Sequence, residues 1–324
     1  MGWTQTDTRL DFEGKTINTV VSHRRTANPG ANDIVTAADN FTYTDQSRLV
    51  SHTKSVNGGQ SQLIAENSYD DLGQLISKKV GNTASSPLQK VDYNYNIRGW
   101  LKNINNDSSD NIILNTSEND LFSFKINYNT LQDNTNFSGT KMFNGNISQT
   151  YWRSVTDNNL RKYEYHYDGL SRLTDAIYSK PESIQPDVST YNEGLKYDKN
   201  GNITYLRRYG GVDGVMPEQK IDELDYFYDN NGLSNRLLKV TDATNSTSGF
   251  ADGANSGNDY YYDNYGNMIA DYNKGIYGIR YNHLNLPMEI TFANNDIISY
   301  VYDGEGKKLE KSVTQEPRLL QQNI

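Results

Sequence analysis

Apolar and polar residues alternate with period two along most of this chain, in short runs that end abruptly at turn-forming residues. Between Lys162 and Asp168, for example, Tyr163, Tyr165 and Tyr167 fall on one face while Glu164 and His166 fall on the other. Side chains alternate in this way on a β-strand. The same spacing links Tyr93 with Tyr95, Tyr226 with Tyr228, Tyr260 with Tyr262, Ile279 with Tyr281, and Tyr300 with Tyr302. Helical periodicity of any length is absent. Each run also ends in the same way: an aromatic residue, then Asp or Asn, two or three further residues, and a Gly-Asn or Ser-Arg pair leading into an apolar position. Asp or Asn hydrogen-bonds its own downstream backbone, and Gly or Asn accepts positive φ, so each unit predicts a β-hairpin.

The cleanest copies carry Tyr167, Asp168 and Ser171; Tyr197, Asp198, Gly201 and Asn202; and Tyr262, Asp263, Gly266 and Asn267. Good copies begin at Tyr69 (with Asp70 and Gly73), Tyr95 (with Gly99), Tyr228 (with Asp229 and Gly232) and Tyr302 (with Asp303 and Gly306). Weaker ones start at Phe12, Tyr43, Phe143 and Tyr281, making eleven in all. From Tyr43 onward the anchors lie 19 to 34 residues apart, except for one gap of 48 between Tyr95 and Phe143. Recurrence of this kind, with loop-length variation, marks a repeat architecture. Residues 105–160 match least well and are expected to form one longer hairpin, with a strand near 121–128. A single repeat region over residues 1–313 is expected, followed by an off-pattern tail, 314–324. Connections such as Asn57–Gln60, Asn106–Ser109 and Asn245–Asn258 read as solvated loops.

Eleven hairpins predict about 22 strands, and at about 4.8 Å per strand such a sheet extends about 105 Å in the hydrogen-bonding direction. Open twisted sheets rarely exceed about ten strands without curling or splitting. The expected fold is therefore all-β: a long, curled or spiralling antiparallel sheet with an aromatic and a polar face. Which face turns inward is not set by the pattern. Uncapped ends of such an array are expected to self-associate or fray.

Composition modifies this picture in two ways. Mean hydropathy is -0.81 and Leu, Ile, Val and Phe supply only about a fifth of the 324 residues, too few for an oily globule. The 25 Tyr compensate with large, β-favouring, half-polar side chains. A net charge of -9 gives no electrostatic footprint for nucleic acid. With no Cys, disulfides, thiolate metal sites and cysteine nucleophiles are excluded. No signal peptide is visible at the N-terminus, and no apolar run is long enough for a membrane span.

Candidate chemistry is sparse. The Asp after each Tyr could be a catalytic carboxylate of a glycosidase, but recurrence at one turn position favours Asx turns for all of them. The loops at Asp198 and Asp263 carry acidic and amide oxygens, yet lack the Gly at six and Glu at twelve of a calcium loop. The four histidines, His23, His52, His166 and His283, form no metal-ligating pair. Gly169 to Arg172 is no nucleophile elbow, and neither a Walker loop nor a dinucleotide fingerprint occurs. Tyr rows stack on sugars in some binding grooves; cross-strand packing between hairpins is the simpler reading. No enzyme activity, cofactor or metal is expected.

The Tyr-Asp-x-x-Gly-Asn units resemble the YD repeats of the Rhs family of bacterial polymorphic-toxin and surface proteins, over residues 10–313. Asn94 to Leu101, Asn144 to Ser148 and Tyr281 to Pro287 are similar to its Bacteroidetes branch. The resemblance implies a β-sheet ribbon spiralling into a shell that encloses or displays a C-terminal polypeptide, often a toxin, outside the cell or at its surface. The implied partner is the remainder of a larger polypeptide. A core segment with an Asp-His-Leu-Gly-like motif, expected after the Tyr302 unit, does not occur, so the chain is expected to be a fragment, and autoproteolysis does not carry over. The alternative is a cell-surface adhesion module that binds carbohydrate or protein through exposed Tyr and Asn.

Overall fold

The structure, a computed structural model, describes residues 2–24, 33–106, 111–115, 118, 120–132, 140–184, 189–211, 219–253 and 256–315. Eleven hairpins follow one another in chain order. They are β1 (Trp3–Leu10) with β2 (Thr16–Arg24), β3 (Ile34–Tyr43) with β4 (Leu49–Val56), β5 (Gln62–Tyr69) with β6 (Leu75–Val80), and β7 (Gln89–Tyr95) with β8 (Leu101–Ile104). Next come β9 (Phe122–Asn127) with β10 (Gln149–Ser154), β11 (Arg161–Tyr167) with β12 (Leu173–Ser179), β13 (Glu193–Tyr197) with β14 (Ile203–Gly210), and β15 (Gln219–Tyr228) with β16 (Leu237–Asp242). The last three are β17 (Tyr260–Tyr262) with β18 (Met268–Asp271), β19 (Ile276–Tyr281) with β20 (Pro287–Phe292), and β21 (Ile297–Tyr302) with β22 (Lys308–Thr314). The chain is all-β, its strands forming a sixteen-stranded sheet, β1 to β16, and a six-stranded sheet, β17 to β22, both in chain order. Two 3₁₀ turns, Asn230–Gly232 and Tyr272–Lys274, are the only helical elements among the described residues. The chain divides into two compact units, residues 1–163 with 180–186 and residues 164–179 with 187–324.

A local device recurs at the hairpin ends. In nine hairpins the register shifts immediately before the last residue of the outgoing strand, so that two residues of the return strand face one. Thr42 pairs with Ser51 but Tyr43 pairs with Leu49, and Tyr69 with Leu75, Tyr197 with Ile203 and Tyr302 with Lys308 repeat the pattern. A bulge of this kind increases local right-handed twist and re-aims the adjoining side chain. The sequence pattern puts Tyr at that adjoining position.

Within the first unit, Tyr93, Ile104, Phe124 and Trp152 share one sheet face through successive pairing, and Asn94, Asn103, Lys125 and Tyr151 share the other. The polar row is the deeper one: Asn103, Lys125 and Asn127 are buried while Phe122 is exposed. Connecting segments cover it. Arg153 Nε donates to the Ile112 carbonyl at 3.0 Å, and the Tyr151 hydroxyl donates to the Gln132 carbonyl at 2.6 Å. The segment 105–160 thus contains the longer hairpin β9–β10 expected from the sequence, with residues 107–110, 116–117, 119 and 133–139 outside the described set.

The second unit has a compact apolar cluster of Leu224, Val240 and Tyr260, with Leu206, Tyr226, Leu237, Phe250, Tyr262 and Met268 packed around it. Asp259 bridges β16 and β17: its N–H donates to the Leu238 carbonyl and its carboxylate accepts from Val240 N at 2.8 Å. Here the structure corrects one expectation. The stretch 245–258 is not simply a solvated loop, because Phe250 enters the cluster and its N–H donates to the fully buried Asp222 carboxylate at 2.6 Å. Residues 254–255 lie outside the described set, as do 316–324 of the tail; Thr314 closes β22. Among the described residues, eleven hydrophobic side chains are buried against seventeen polar or charged ones. How these polar groups are hydrogen-bonded therefore matters as much to the interior as apolar packing.

Candidate functional site: the repeated turn and its tyrosine

Most copies of the unit close with one five-residue turn. At Asp168 the backbone N–H donates to the Arg172 carbonyl, Ser171 N–H donates to the Asp168 carbonyl, and the carboxylate accepts from Leu170 N and Arg172 N at 2.9 and 3.0 Å. Asp70, Asp198, Asp263 and Asp303 accept from the residue four positions on in the same way, at 2.8 to 2.9 Å. Asn96 and Asn282 do so with an amide oxygen at 3.0 Å, and Thr44 with a hydroxyl at 3.2 Å. The fourth turn residue has positive φ: Gly73, Gly99, Gly201, Gly266 and Gly306 at 77° to 90°, with Ser47, Ser171 and Asn285 at 57° to 65°. The turn at Asp229 is longer, its N–H reaching the Arg236 carbonyl, with Gly232 closing the 3₁₀ segment.

At seven of the repeated turns the preceding tyrosine does something the repeat pattern does not reveal. Its hydroxyl donates to the carbonyl of the first residue of the preceding return strand: Tyr43 to Thr16, Tyr69 to Leu49 and Tyr95 to Leu75, at 2.8 to 2.9 Å. Tyr197 to Leu173, Tyr228 to Ile203, Tyr281 to Met268 and Tyr302 to Pro287 continue the series at 2.7 to 3.0 Å. Each bond ties one hairpin to the next. A basic side chain from the preceding turn lies over the anchor ring in four cases: Lys15 over Tyr43, Arg48 over Tyr69, Arg172 over Tyr197 and Arg236 over Tyr262, at 4.7 to 6.0 Å from the centroid. Turn-to-turn bonds add to this, from Arg172 Nη1 to the Asp198 carbonyl at 2.9 Å and from Asn267 Nδ2 to Asn285 Oδ1 at 3.1 Å. Gly73 serves this stacking as well as its own φ, since a Cβ there would meet the Arg48 guanidinium at 2.0 Å.

Two weak copies change register. Phe12 is almost fully exposed; Asp11 makes the turn, accepting from Glu13 N and Lys15 N, and Leu10 occupies the anchor position. Phe143 is also exposed, and its neighbour Asn144 accepts from Asn146 N at 3.0 Å. The hydroxyl link of that unit comes from Tyr128, which donates to the Leu101 carbonyl at 3.0 Å. This unit is split by an insertion, and the Tyr128-Asn129 pair at the end of an alternating run is the signal that would have located it. Tyr167 and Tyr262 occupy the anchor position at the ends of β11 and β17.

The turn carboxylates are tuned by their local donors. The Arg172 N–H, reinforced by its guanidinium, holds Asp168 below the usual carboxylate range. At Asp198 burial acts upward, but the Asn202 side chain and N–H outweigh it and the value is lowered. The Asn267 amide lowers Asp263. Burial pushes the anchors Tyr95, Tyr197, Tyr228, Tyr262 and Tyr281 upward. Three of the histidines face groups outside the turns: His52 Nε2 is 2.7 Å from Asp39, His23 Nδ1 is 2.8 Å from the Thr4 hydroxyl, and His166 is 3.7 Å from Glu164.

No family model and no curated protein matches the sequence. Among solved structures, the crystal structure of TcdB2-TccC3 is similar to this chain, with TM-score 0.52 and 15% sequence identity over 96% of it. The form of TcdB2-TccC3 without its hypervariable C-terminal region gives the same values. A Photorhabdus luminescens Tc holotoxin pore bearing a TccC3 substitution matches with TM-score 0.52 and 15% identity over 94% of the chain. This chain spans only 15 to 16% of the length of those chains. At this identity the likeness concerns the fold alone.

Proposed function

We propose that the chain is a non-enzymatic structural repeat region, continuous over residues 1–313, that forms part of the wall of an Rhs-like shell. The shell would enclose or display a C-terminal polypeptide in a toxin-delivery or cell-surface protein, working outside the cell, with the rest of that polypeptide as partner. The observation that carries this reading is the Tyr hydroxyl-to-carbonyl bond, which links successive hairpins. A chain built to bind or catalyse at one place has no use for identical links repeated along its length; a wall does. The fold likeness to TcdB2-TccC3, a protein with a hypervariable C-terminal region, supports it. The Bacteroidetes-like phrases at Asn94 to Leu101 and Tyr281 to Pro287 favour a parent from that branch. Sequencing the reading frame through both boundaries tests the proposal: further YD units upstream and an unrelated segment downstream are expected, and a frame that holds only this array would overturn it.

One observation favours the adhesion reading. Tyr261, Tyr272 and Tyr277 form an exposed ladder, with ring centroids 5.2 and 4.9 Å apart. Saturable binding on a glycan array, lost when these three are changed to Ala, would establish it.

A further inference from the structure

Between β16 and β17 the sixteen-stranded sheet ends and the six-stranded sheet begins. Carboxylates, rather than a backbone ladder, close this break. Val240 N–H and Asp242 N–H, two residues apart on one edge of β16, donate to Asp259 Oδ2 at 2.8 Å and to Asp252 Oδ2 at 3.0 Å. Asp259 is 2% exposed, and its backbone completes the join: its N–H donates to the Leu238 carbonyl and its carbonyl accepts from Tyr272 N–H, both at 2.9 Å. One buried residue thus pins β16 to the segment that follows it.

Residues 243–253 run back over β15 as a strap. Phe250 N–H donates to Asp222 Oδ1 at 2.6 Å, Gly253 N–H to Asn273 Oδ1 at 2.9 Å, and the Thr244 hydroxyl to the Ile221 carbonyl at 3.0 Å. Gly249 lies so close to β15 that a Cβ on it would collide with the Ile221 carbonyl oxygen. Carboxylates therefore gather along the join: Asp222, Asp242, Asp252, Asp259 and Asp271. Arg208, 2.6 Å from Asp222, and Lys274, 3.4 Å from Asp271, are paired with two of them. Tyr226 and Tyr260 belong to the cluster beneath and stay neutral in acid. On the other face of β15 and β16, Glu223 is bonded by Lys220 and Tyr205, and Lys239 stands opposite Phe227. A carboxylate that accepts a backbone N–H makes a charge-assisted bond, about twice as strong as a neutral one, and protonation removes that advantage. Bonds between backbone groups carry no such dependence on pH.

We propose that the join between β16 and β17 is an acid-labile joint: neutralising Asp252 and Asp259 frees the edge of β16 and lets the strap lift, so that β17–β22 part from β13–β16 while each hairpin keeps its own ladder. Asp242 and the hairpin turns mark the limit of the opening. Burial acts upward on the Asp242 carboxyl, but the N–H groups of Thr244 and Glu223 outweigh it and the value is lowered. The bonds it accepts are therefore fully present above about pH 4 and are lost only as pH falls through the lower folded value. The turn carboxylates Asp198 and Asp263 are lowered in the same sense, which keeps the hairpin ends closed while the joint opens. The joint does not depend on the shell reading; in a shell it would open a gap without unfolding the wall.

The test is hydrogen exchange of the full chain, read by mass spectrometry at about pH 7 and about pH 4 and corrected for the intrinsic pH dependence of exchange. In peptides covering β16 and residues 243–253, protection is expected to fall about tenfold over that range, the loss of one charge-assisted bond, while β14 and β20 change less than about twofold. The double variant Asp252→Asn with Asp259→Asn keeps an acceptor oxygen for each N–H and cannot titrate there, so its β16 protection should change less than about twofold. Gly249→Ala should lift the strap at neutral pH, lowering protection of residues 243–253 and leaving β14 and β20 as they were. The joint is refuted if the β16 and strap peptides follow β14 and β20 with pH, if β16 in the double variant loses as much protection as in the unaltered chain, or if Gly249→Ala leaves the strap as protected as before. Should the double variant not fold, the comparison of these peptides within the unaltered chain decides.

Discussion

Replacing Tyr197 with Phe removes one hydroxyl and leaves the ring in place. The hydroxyl donates to the Leu173 carbonyl at 2.7 Å, while the Arg172 guanidinium sits 4.7 Å from the ring centroid and also donates to the Asp198 carbonyl. A neutral hydrogen bond contributes about 1 kcal/mol net, and since Tyr197 is only half-buried, water can reach the freed carbonyl, so the cost should stay near that figure rather than rise to about 3 kcal/mol. Tyr197→Leu removes the cation-π contact as well, about 0.5–1 kcal/mol more. In a repeat array, stability is a sum over units and interfaces, so the loss should be local to one interface. Hydrogen exchange by mass spectrometry reads this directly: protection across β12, β13 and β14 is expected to fall about fivefold in Tyr197→Phe. Protection in β1 to β4 should be unchanged. If Tyr197→Phe leaves protection of β12 to β14 as it was, the hydroxyl link does not hold hairpins together and the reasoning fails.

Other turns offer independent checks. Gly201 has φ 90°, and a Cβ there would meet only Arg172 Nη1, at an ordinary contact distance of 4.0 Å, so Gly201→Ala introduces chiefly backbone strain and should lower stability by about 1–2 kcal/mol in urea titrations. Phe12→Ser should change stability by less than about 0.5 kcal/mol, because Phe12 is 98% exposed, whereas an aromatic anchor at that position would make it costly. Asp168, Asp198 and Asp263 have lowered values when folded, so their contribution is complete above the unfolded value near 4 and is lost as pH falls through the folded values below it. The anchors Tyr95, Tyr197, Tyr228 and Tyr281 have raised values, so their contribution is complete below about pH 10 and is lost as pH rises through the folded values above it. Circular dichroism against pH should show both losses, and Tyr197→Phe should soften the alkaline one.

How much of the fold is readable from the sequence depends on the range of each interaction. The turns are legible because their chemistry is local: Asp198 bonds Asn202 four residues on, and Gly201 supplies the φ the turn needs. The anchor's second task is not, because its acceptor is a backbone carbonyl 13 to 27 residues away and a carbonyl has no residue-type signature. The same limit explains the two shifts of register. A pattern that requires an aromatic before the turn selects Phe12 over Leu10, and the insertion separating Tyr128 from Asn144 hides one unit in two halves. Face burial is unreadable for a different reason: the polar row of Asn103 and Lys125 is covered by irregular segments carrying Ile112 and Gln132, whose path no periodicity records. Phe250 is the counterpart in the second unit, an apolar residue in a Gly- and Ser-rich stretch that enters the core.

The most direct measurement of the shell reading is limited proteolysis of the protein expressed through both boundaries of this sequence. A wall that encloses its cargo predicts that the downstream segment resists cleavage while the array is folded and becomes sensitive when urea or alkaline pH releases the hairpins. Cleavage of that segment in the native protein at the rate of the free peptide would contradict it.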